Sequence, residues 1–283
     1  MATNAWCRAW SSVAGGSRVH GESITPPAAR DQRGRSADDP AAPAPKVRTI
    51  TAAPFRDRVV HHALIDPLEA WFDRRMIAHS YACRRGKGQH RALRHAHRLV
   101  RRHSWFLKLD VKGVFPSLAH DVVMDTLRRI VKDRRVLMLC ERLVRSGGAD
   151  GRGLPIGNLT SQWFANLVLD RLDHWITEDL RVPGYVRYMD DFVLFGDDKA
   201  VLRGWLAQVE QFLHGMQLRL KDSATMLTPT ACGLPFLGFR IYRGLLRCVP
   251  RTWPARRRDC SSAVGSSATA CSTSTSSPMR PGR

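Results

Sequence analysis

The feature that most constrains this chain is a pair of adjacent aspartates, Asp190 and Asp191, inside the run RYMDDFVLFGDD (residues 187–198). The flanking residues are apolar, aromatic or β-branched, so the pair falls where two short strands are predicted to meet. Neighbouring carboxylates repel each other, and partial burial adds a cost of several kcal/mol unless a cation neutralises them. Water could do so at an exposed hairpin tip, so the pair alone leaves a structural and a metal-binding interpretation open.

A third aspartate ends another predicted strand. The stretch WFLKLD (residues 105–110) alternates apolar and polar residues and ends in Asp110. If folding brings Asp110 beside Asp190 and Asp191, three carboxylates supply the hard oxygen ligands that Mg²⁺ prefers. Two such ions about 4 Å apart stabilise the attacking and leaving oxygens of a phosphoryl transfer. The pattern therefore indicates the chemistry of a polymerase.

The charge of the chain favours a polyanionic partner. Its 283 residues carry a formal net charge of +20, and 43% of them are hydrophobic, which is enough for a sizeable core. Because lysines and arginines release counterions when they neutralise phosphates, nucleic acid is the expected partner. A GC-rich genome that encodes arginine freely would give the same composition. The seven cysteines form no C-x-x-C pair and no regular framework, so we expect a reducing, cytoplasmic location. No apolar run reaches the roughly 18 residues of a membrane span, so we expect no membrane partner.

Periodic segments occupy the middle of the chain. Residues 54–76 carry apolar residues four apart, and we expect Pro67 to kink this helix or split it in two. Residues 120–133 and 160–180 also show helical spacing, the latter as a long amphipathic helix, and residues 234–249 look like a hairpin. Helices and strands mix without a repeated βαβ order, which favours an α+β fold.

Four motifs resemble, in the same order, those of reverse transcriptases. They are LDVKGVF (109–115), GLPIGNLTSQWFANLVLDRLDHWI (153–176), YMDD (188–191) and LPFLGF (234–239). Each short string is weak by itself, but four in register are specific. The resemblance covers residues 46–249.

The resemblance implies the right-hand palm of polymerases, an antiparallel sheet with helices packed on one face, plus fingers. Residues 46–104 would form the fingers, and residues 105–249 the palm with its catalytic carboxylates and primer-grip hairpin. Residues 1–45 read as disordered or foreign to the fold. Residues 250–283 form a low-complexity tail where a helical thumb is expected, so the thumb is absent or degenerate. A frameshift, a truncation or a partner that supplies the duplex clamp would each explain this.

For the catalytic centre, the resemblance implies that Asp110, Asp190 and Asp191 bind two Mg²⁺ ions, for which Mn²⁺ can substitute. Phe115 matches the aromatic residue that packs beneath the sugar of the incoming nucleotide. A ring there leaves no room for a 2′-hydroxyl, so the product would be DNA. The alternative for Phe115 is an ordinary core side chain.

Five further residues resemble nucleotide-binding positions of the family. Lys46 and Arg48 in KVRTI, and Arg84 in SYACRRGKGQHRAL, match basic residues of the fingers that contact the triphosphate. Ile156 and Gly157 lie in the loop between the two carboxylate motifs, where most members have glutamine before the glycine. For each basic residue, a solvated surface of a generally basic protein is the competing interpretation.

The form of this loop resembles that of bacterial reverse transcriptases from diversity-generating retroelements. Isoleucine lacks the amide with which glutamine can bond the substrate, so we expect low-fidelity copying. Expected partners are a template RNA, a DNA or RNA primer, deoxynucleoside triphosphates and an accessory protein of the retroelement. Group II intron enzymes are the rival within the family, and we rank them lower because no maturase or endonuclease segment follows the hairpin. An inactive nucleic-acid-binding remnant without a thumb is the competing function class.

Overall fold

A computed structural model describes residues 53–148 and 150–248 of the chain. The predictions for Lys46, Arg48 and the two terminal segments, 1–45 and 250–283, lie outside the described residues. The boundary between fingers and palm at residue 104 also stays a prediction.

A four-stranded antiparallel sheet forms the centre of the protein, with the spatial order β2-β3-β1-β4. The strands are β1 (Trp105–Asp110), β2 (Gly184–Tyr188), β3 (Asp191–Gly196) and β4 (Met226–Pro229). Apolar residues dominate the two central strands, WFLKLD and DFVLFG, as is typical of strands buried on both faces. Because β1 and β3 are the two central strands, the strand ends that carry Asp110 and Asp191 lie in the middle of the sheet and not on an edge strand.

Seven α-helices lie in the described part of the chain. They are α1 (Phe55–Arg75), α2 (Gly88–Arg102), α3 (Val114–Ser117), α4 (His120–Ile130), α5 (Arg134–Arg145), α6 (Leu159–His174) and α7 (Lys199–Gly215). A π-helical turn, Trp175–Asp179, extends α6, and short 3₁₀ turns follow at Asp222–Ala224 and Thr230–Cys232.

The two faces of the sheet are covered differently. Leu107, Leu109 and Leu194 point into the larger core, which α1, α4, α6 and α7 complete. Phe106 and Val193 point to the opposite face, where α2 and a second antiparallel sheet cover them. That second sheet has the order β5 (Leu234–Phe236), β6 (Phe239–Ile241) and β7 (Leu246–Cys248).

The predicted α+β fold is confirmed, with three local differences. Helix α1 runs through Pro67 without being split. Helix α6 is buried around most of its circumference, so it is not amphipathic, because α1 and α4 both pack against it. The predicted hairpin at 234–249 gains a third strand within residues 234–248. None of the described helices is long and apolar enough to cross a membrane.

Candidate active site

The strand register brings the distant aspartates together. In the antiparallel pair of β1 and β3, Asp110 lies directly opposite Asp191. Directly opposed residues of such a pair project to the same face of the sheet, with Cβ atoms about 5 Å apart. Asp190 occupies the two-residue turn Met189–Asp190 that joins β2 to β3, since Tyr188 is paired with Asp191. The three carboxylates predicted from the sequence are therefore neighbours at one end of the central strands.

Backbone hydrogen bonds fix both strand ends. The amide of Val111 donates to the carbonyl of Asp190 at 3.0 Å, and the amide of Lys221 donates to the carbonyl of Asp110 at 2.9 Å. Met189 has a φ of +55°, in the left-handed region that residues with a side chain adopt at a cost of about 1–2 kcal/mol. The turn is strained, and its ends are tied to neighbouring segments.

The carboxyl group of Asp191 has a perturbed pKa. Burial above all, together with the negative charges of Asp110 and Asp190, raises the pKa of Asp191 to about 6. The ammonium group of Lys108, 2.7 Å from Oδ1 of Asp191, opposes this rise. Apart from this ion pair, Oδ1 of Asp191 is buried without a hydrogen-bond partner. Mutual repulsion among the three carboxylates, which one ammonium group offsets only in part, favours a further cation at this point.

This donor set fits a hard divalent cation. Asp110, Asp190 and Asp191 offer only carboxylate oxygens, and the buried Oδ1 of Asp191 contacts no donor other than Lys108. In the described part of the chain, no group of three histidine, cysteine or acidic side chains is positioned to hold a metal ion, so the fit rests on the chemistry of these oxygens. Lys108 holds Asp191 in this structure, so a metal ligand role for Asp191 requires its carboxylate to be shared between the ion and Lys108.

A sequence comparison gives the family to which this sheet, with three acidic residues at the ends of its central strands, belongs. The profile of the family described as reverse transcriptase (RNA-dependent DNA polymerase) matches residues 38–241, which is more than half of the chain. The chain belongs to the reverse transcriptase family. The predicted family is thereby confirmed, whereas neither a bacterial origin nor the diversity-generating type follows from the match.

Curated relatives of this reverse transcriptase include proteins whose names refer to introns. Protein YkfC of Escherichia coli is 24% identical over 249 residues, covering 70% of this chain and 64% of the relative. Nuclear intron maturase 1, mitochondrial, of Arabidopsis thaliana is 38% identical over 99 residues, covering 34% of this chain and 14% of the relative. The putative COX1/OXI3 intron 1 protein of Saccharomyces cerevisiae is 27% identical over 146 residues, covering 48% and 18%. The chain thus spans less than two thirds of each of these relatives.

Solved structures of telomerase share the fold of this reverse transcriptase. Telomerase from Candida tropicalis in complex with a fragment of telomeric RNA superposes with a TM-score of 0.54 at 10% identity, covering 70% of this chain and 39% of that one. Apo telomerase from the same organism gives a TM-score of 0.51 at 11% identity, covering 68% and 40%. At such low identity the likeness concerns the fold alone.

Of the other predicted nucleotide-binding residues, one lies in a short helix after β1 and two lie in the turn before α6. Phe115 lies in the short helix α3, five residues after Asp110, and its half-buried ring packs against the larger core. Gly157 is exposed and has a φ of +109°, which favours glycine at this position. Ile156 beside it is half-buried. Their contacts with a nucleotide stay predictions.

Arg84 is placed differently from its predicted role. Its side chain is only 3% exposed and pairs with Asp73 at 2.5 Å. The guanidinium also donates to the carbonyls of Asp73, Ile77 and Ser80, at 3.0, 2.6 and 2.9 Å. Four of its five N–H donors are thus used within the protein. In this structure Arg84 braces the loop before α2, and its predicted contact with a triphosphate would require that network to open.

The sequence reasoning missed a fully buried arginine beside the carboxylates. Arg187 forms an ion pair with Asp173 of α6, and both side chains are 0% exposed. Arg187 also donates to Asn166, Ser80 and the carbonyl of Met189. The available signal was an arginine at an inward position of an apolar strand, which requires a buried partner.

A basic pocket was also missed as a distinct site. It has a volume of about 520 Å³ and lies along the outward side of α2. None of the described residues that line it is acidic, and they comprise Tyr81, Lys87, Arg91, Arg94, His97 and Arg98. The three arginines are exposed, whereas the opposite side of α2 packs on the palm sheet. Residues 91, 94 and 98 follow helical spacing, so they form one stripe about 10 Å long.

Proposed function

We propose that this protein is an RNA-directed DNA polymerase that extends a primer by two-metal phosphoryl transfer. The observation that carries the proposal is the register that sets Asp110 opposite Asp191, with Asp190 in the adjoining turn. Asp110, Asp190 and Asp191 would hold two Mg²⁺ ions, or Mn²⁺ in their place. Bound there, the ions would lower the energy of the charge that develops on the transferred phosphate.

The chain's own groups would prepare this site. Lys108 compensates part of the negative charge on the carboxylates before the substrate arrives, since its ammonium contacts Asp191. Phe115, next to the strand end that carries Asp110, would exclude a 2′-hydroxyl and so select deoxynucleoside triphosphates. Lys46 and Arg48 would contact the triphosphate from the fingers.

The basic pocket on α2 supports a nucleic-acid substrate. Arginines that lack a carboxylate in their surroundings gain most from phosphate, which accepts two parallel hydrogen bonds from one guanidinium. Arg91, Arg94 and Arg98 would therefore bind the backbone of the template RNA. The experiment for this contact is a salt titration of RNA binding, with its expected slope given in the Discussion.

Primer extension on an RNA template tests the proposed activity. Asp190→Asn should lower deoxynucleotide incorporation at least about 100-fold, because a neutral amide cannot replace a carboxylate beside a divalent ion. The matched control is Asp198→Asn in the same run. Asp198 caps α7 through the amide of Ala200 at 2.7 Å, and asparagine caps a helix equally well. Equal activity of the two variants would contradict the assignment of the carboxylates.

Low fidelity is the finer part of the proposal. The side chain of Ile156 can contact the base pair but cannot form a hydrogen bond with the substrate. We therefore expect Ile156→Gln to lower misincorporation roughly 10-fold, which corresponds to the free energy of one hydrogen bond. An unchanged error spectrum in the same primer-extension assay would remove this argument. The role in a diversity-generating retroelement, with its accessory protein, depends on the loop that contains the same residue.

The names of the relatives favour a second setting, in which the enzyme acts with an intron RNA. Two of the three relatives above are named as intron proteins, one of them a maturase. A chain that binds intron RNA but incorporates no deoxynucleotide with Mg²⁺ or Mn²⁺ would instead be a nucleic-acid-binding remnant. Comparing affinity for an intron RNA with affinity for an unrelated RNA of equal length distinguishes these settings.

A further inference from the structure

Arg187 is buried and fully bonded. Its guanidinium has five N–H donors, and each has an acceptor in this structure. Nε and Nη2 donate to the two oxygens of Asp173 at 2.7 and 2.6 Å. Nη2 also donates to Oγ of Ser80 at 3.0 Å. Nη1 donates to Oδ1 of Asn166 at 2.9 Å and to the carbonyl of Met189 at 3.1 Å.

These bonds join three separate parts of the chain to the turn. Asp173 and Asn166 belong to α6, and Ser80 belongs to the segment between α1 and α2. The backbone of Arg187 also pairs with that segment, since its amide donates to His79 at 3.0 Å and its carbonyl accepts from Tyr81 at 3.1 Å. Arg187 is thus the point where β2, helix α6 and the loop before α2 meet.

The hydrogen bond from Arg187 to the carbonyl of Met189 restrains the turn that carries Asp190. The carbonyl of Met189 belongs to the peptide unit that leads into Asp190, and Met189 itself is held at a φ of +55°. The carbonyl of Asp190 is held from the other side by the amide of Val111. A charged donor at the first carbonyl opposes relaxation of the strained turn, because hydrogen bonds from ionised groups are stronger than neutral ones.

We propose that Arg187 is a positioning residue whose guanidinium holds the Met189–Asp190 turn and thereby sets the carboxylates of Asp190 and Asp191. Helix α6 begins just after Ile156 and Gly157, which are predicted to bind the nucleotide. The guanidinium of Arg187 therefore links the Met189–Asp190 turn to this helix. The inference goes beyond the proposed polymerase function and rests on it only for the meaning of the carboxylates.

A conservative variant separates charge from geometry. Arg187→Lys keeps the positive charge beside Asp173, but one ammonium group cannot span Asp173, Ser80 and Met189 together. We expect hydrogen exchange at the Val111 amide, which bonds the turn, to become roughly 10-fold faster. The kcat for deoxynucleotide incorporation should fall roughly 100-fold, whereas the KM for template and primer should stay within about 2-fold of the wild-type value. The matched control is Ser80→Ala, which removes one bond to the same guanidinium and leaves the bond to Met189.

A second variant covers the case in which Arg187→Lys does not fold. The double variant Arg187→Met with Asp173→Asn removes both buried charges, and asparagine keeps an acceptor for the hydroxyl of Tyr185, which lies 2.6 Å from Asp173. Replacing a buried ion pair by uncharged groups is often neutral for stability. We expect a melting temperature near that of wild type, with the same faster exchange at Val111.

Two outcomes would overturn the proposal. One is a folded variant at position 187 whose Val111 amide exchanges no faster than in Ser80→Ala. The other is a variant with faster exchange but unchanged kcat in an active enzyme. If the wild type incorporates no deoxynucleotide, the polymerase function fails, whereas the exchange comparison still decides whether Arg187 holds the turn.

Discussion

Two regions of this protein are built around arginine and use it in opposite ways. At the β2–β3 turn, Arg187 is 0% exposed and pairs with an equally buried Asp173. On the outward side of α2, by contrast, Arg91, Arg94 and Arg98 are exposed and line a pocket without a carboxylate. In the first region the protein supplies every acceptor. In the second, Nδ1 of His95 accepts from Arg98 at 3.2 Å, and the other donors of the three arginines face solvent or a ligand.

The difference shows how the surroundings decide the role of a charge. A buried guanidinium loses its hydration and needs fixed partners, so removing it leaves its carboxylate partner unpaired. An exposed guanidinium stays hydrated, contributes little to folding and keeps its donors free for a phosphate. Substitutions in the first region should change stability, and those in the second should change binding.

The largest expected effect is on folding. Arg187→Ala should lower the free energy of unfolding by about 3–5 kcal/mol, because it leaves the carboxylate of Asp173 buried and unpaired. Arg94→Ala, on the exposed stripe, should change it by less than about 0.5 kcal/mol. Denaturant titration of both variants measures this difference. Similar losses of unfolding free energy in the two variants would show that buried and exposed arginines do not differ in their contribution to stability here.

A second prediction concerns the buried side of α2 and pH. Burial above all, together with neighbouring His79, lowers the pKa of His95 to about 4. Arg98 can only donate to Nδ1 of His95, at 3.2 Å, so Nε2 carries the proton and donates to the carbonyl of Tyr185 at 3.1 Å. The unfolded chain binds a proton near pH 6.5 and the folded chain does not, so stability falls as pH drops from about 6.5 to about 4.

The expected size of this pH effect is about 2 kcal/mol after allowance for solvent screening. Thermal melts between pH 7 and pH 4 measure it, and His95→Gln should flatten the profile. The exposed His90 on the same helix serves as control, since His90→Gln should leave the profile of the wild type intact. A profile for His95→Gln as steep as that of wild type would place the acid sensitivity elsewhere.

The third prediction addresses RNA binding. Replacing Arg91, Arg94 and Arg98 together by alanine should weaken RNA affinity by about 10-fold or more near 0.1 M salt. The slope of log affinity against log salt should fall by about 2, since each phosphate contact on a single strand contributes about 0.7. Filter binding over a salt series measures both. The matched control replaces Arg128, Arg129 and Arg145, and an equal loss there would indicate nonspecific charge rather than a site on α2.

The smallest effect is expected at an exposed ion pair. Arg145 contacts Glu141 at 3.0 Å, with side-chain exposures of 60% and 36%. Arg145→Ala should cost about 0.3–0.5 kcal/mol, a loss that added salt removes. Measuring unfolding at low and high salt checks this, and a loss above about 2 kcal/mol would show that exposure is a poor guide to the role of arginine here.

Local patterns sufficed to predict much of the candidate site. Alternation in WFLKLD gave the strand that ends in Asp110, and the apolar runs around Asp190 and Asp191 gave the two strands of the hairpin. The cap of α7 at Asp198 is of the same local kind, because capping depends on neighbours two or three residues away. Such features depend on short-range chemistry that a sequence displays directly.

Contacts between distant segments escaped prediction. Arg84 looked like an exposed phosphate ligand, but Asp73 and three backbone carbonyls engage it. Lys108 looked like an ordinary outward residue of a strand, yet it contacts Asp191, 83 positions away (191 − 108). No local pattern indicates which remote group will meet a given charge.

By itself, the sequence determined the kinds of elements, the acidic residues at their ends and the membership of the reverse transcriptase family, because periodicity and short motifs act over a few residues. Only the tertiary structure decided that Asp110 lies opposite Asp191, that Arg187 is buried against Asp173 and that the stripe on α2 lacks acidic partners. The physical reason is that burial and pairing fix the role of a charged side chain, and both arise from packing between segments far apart in the chain.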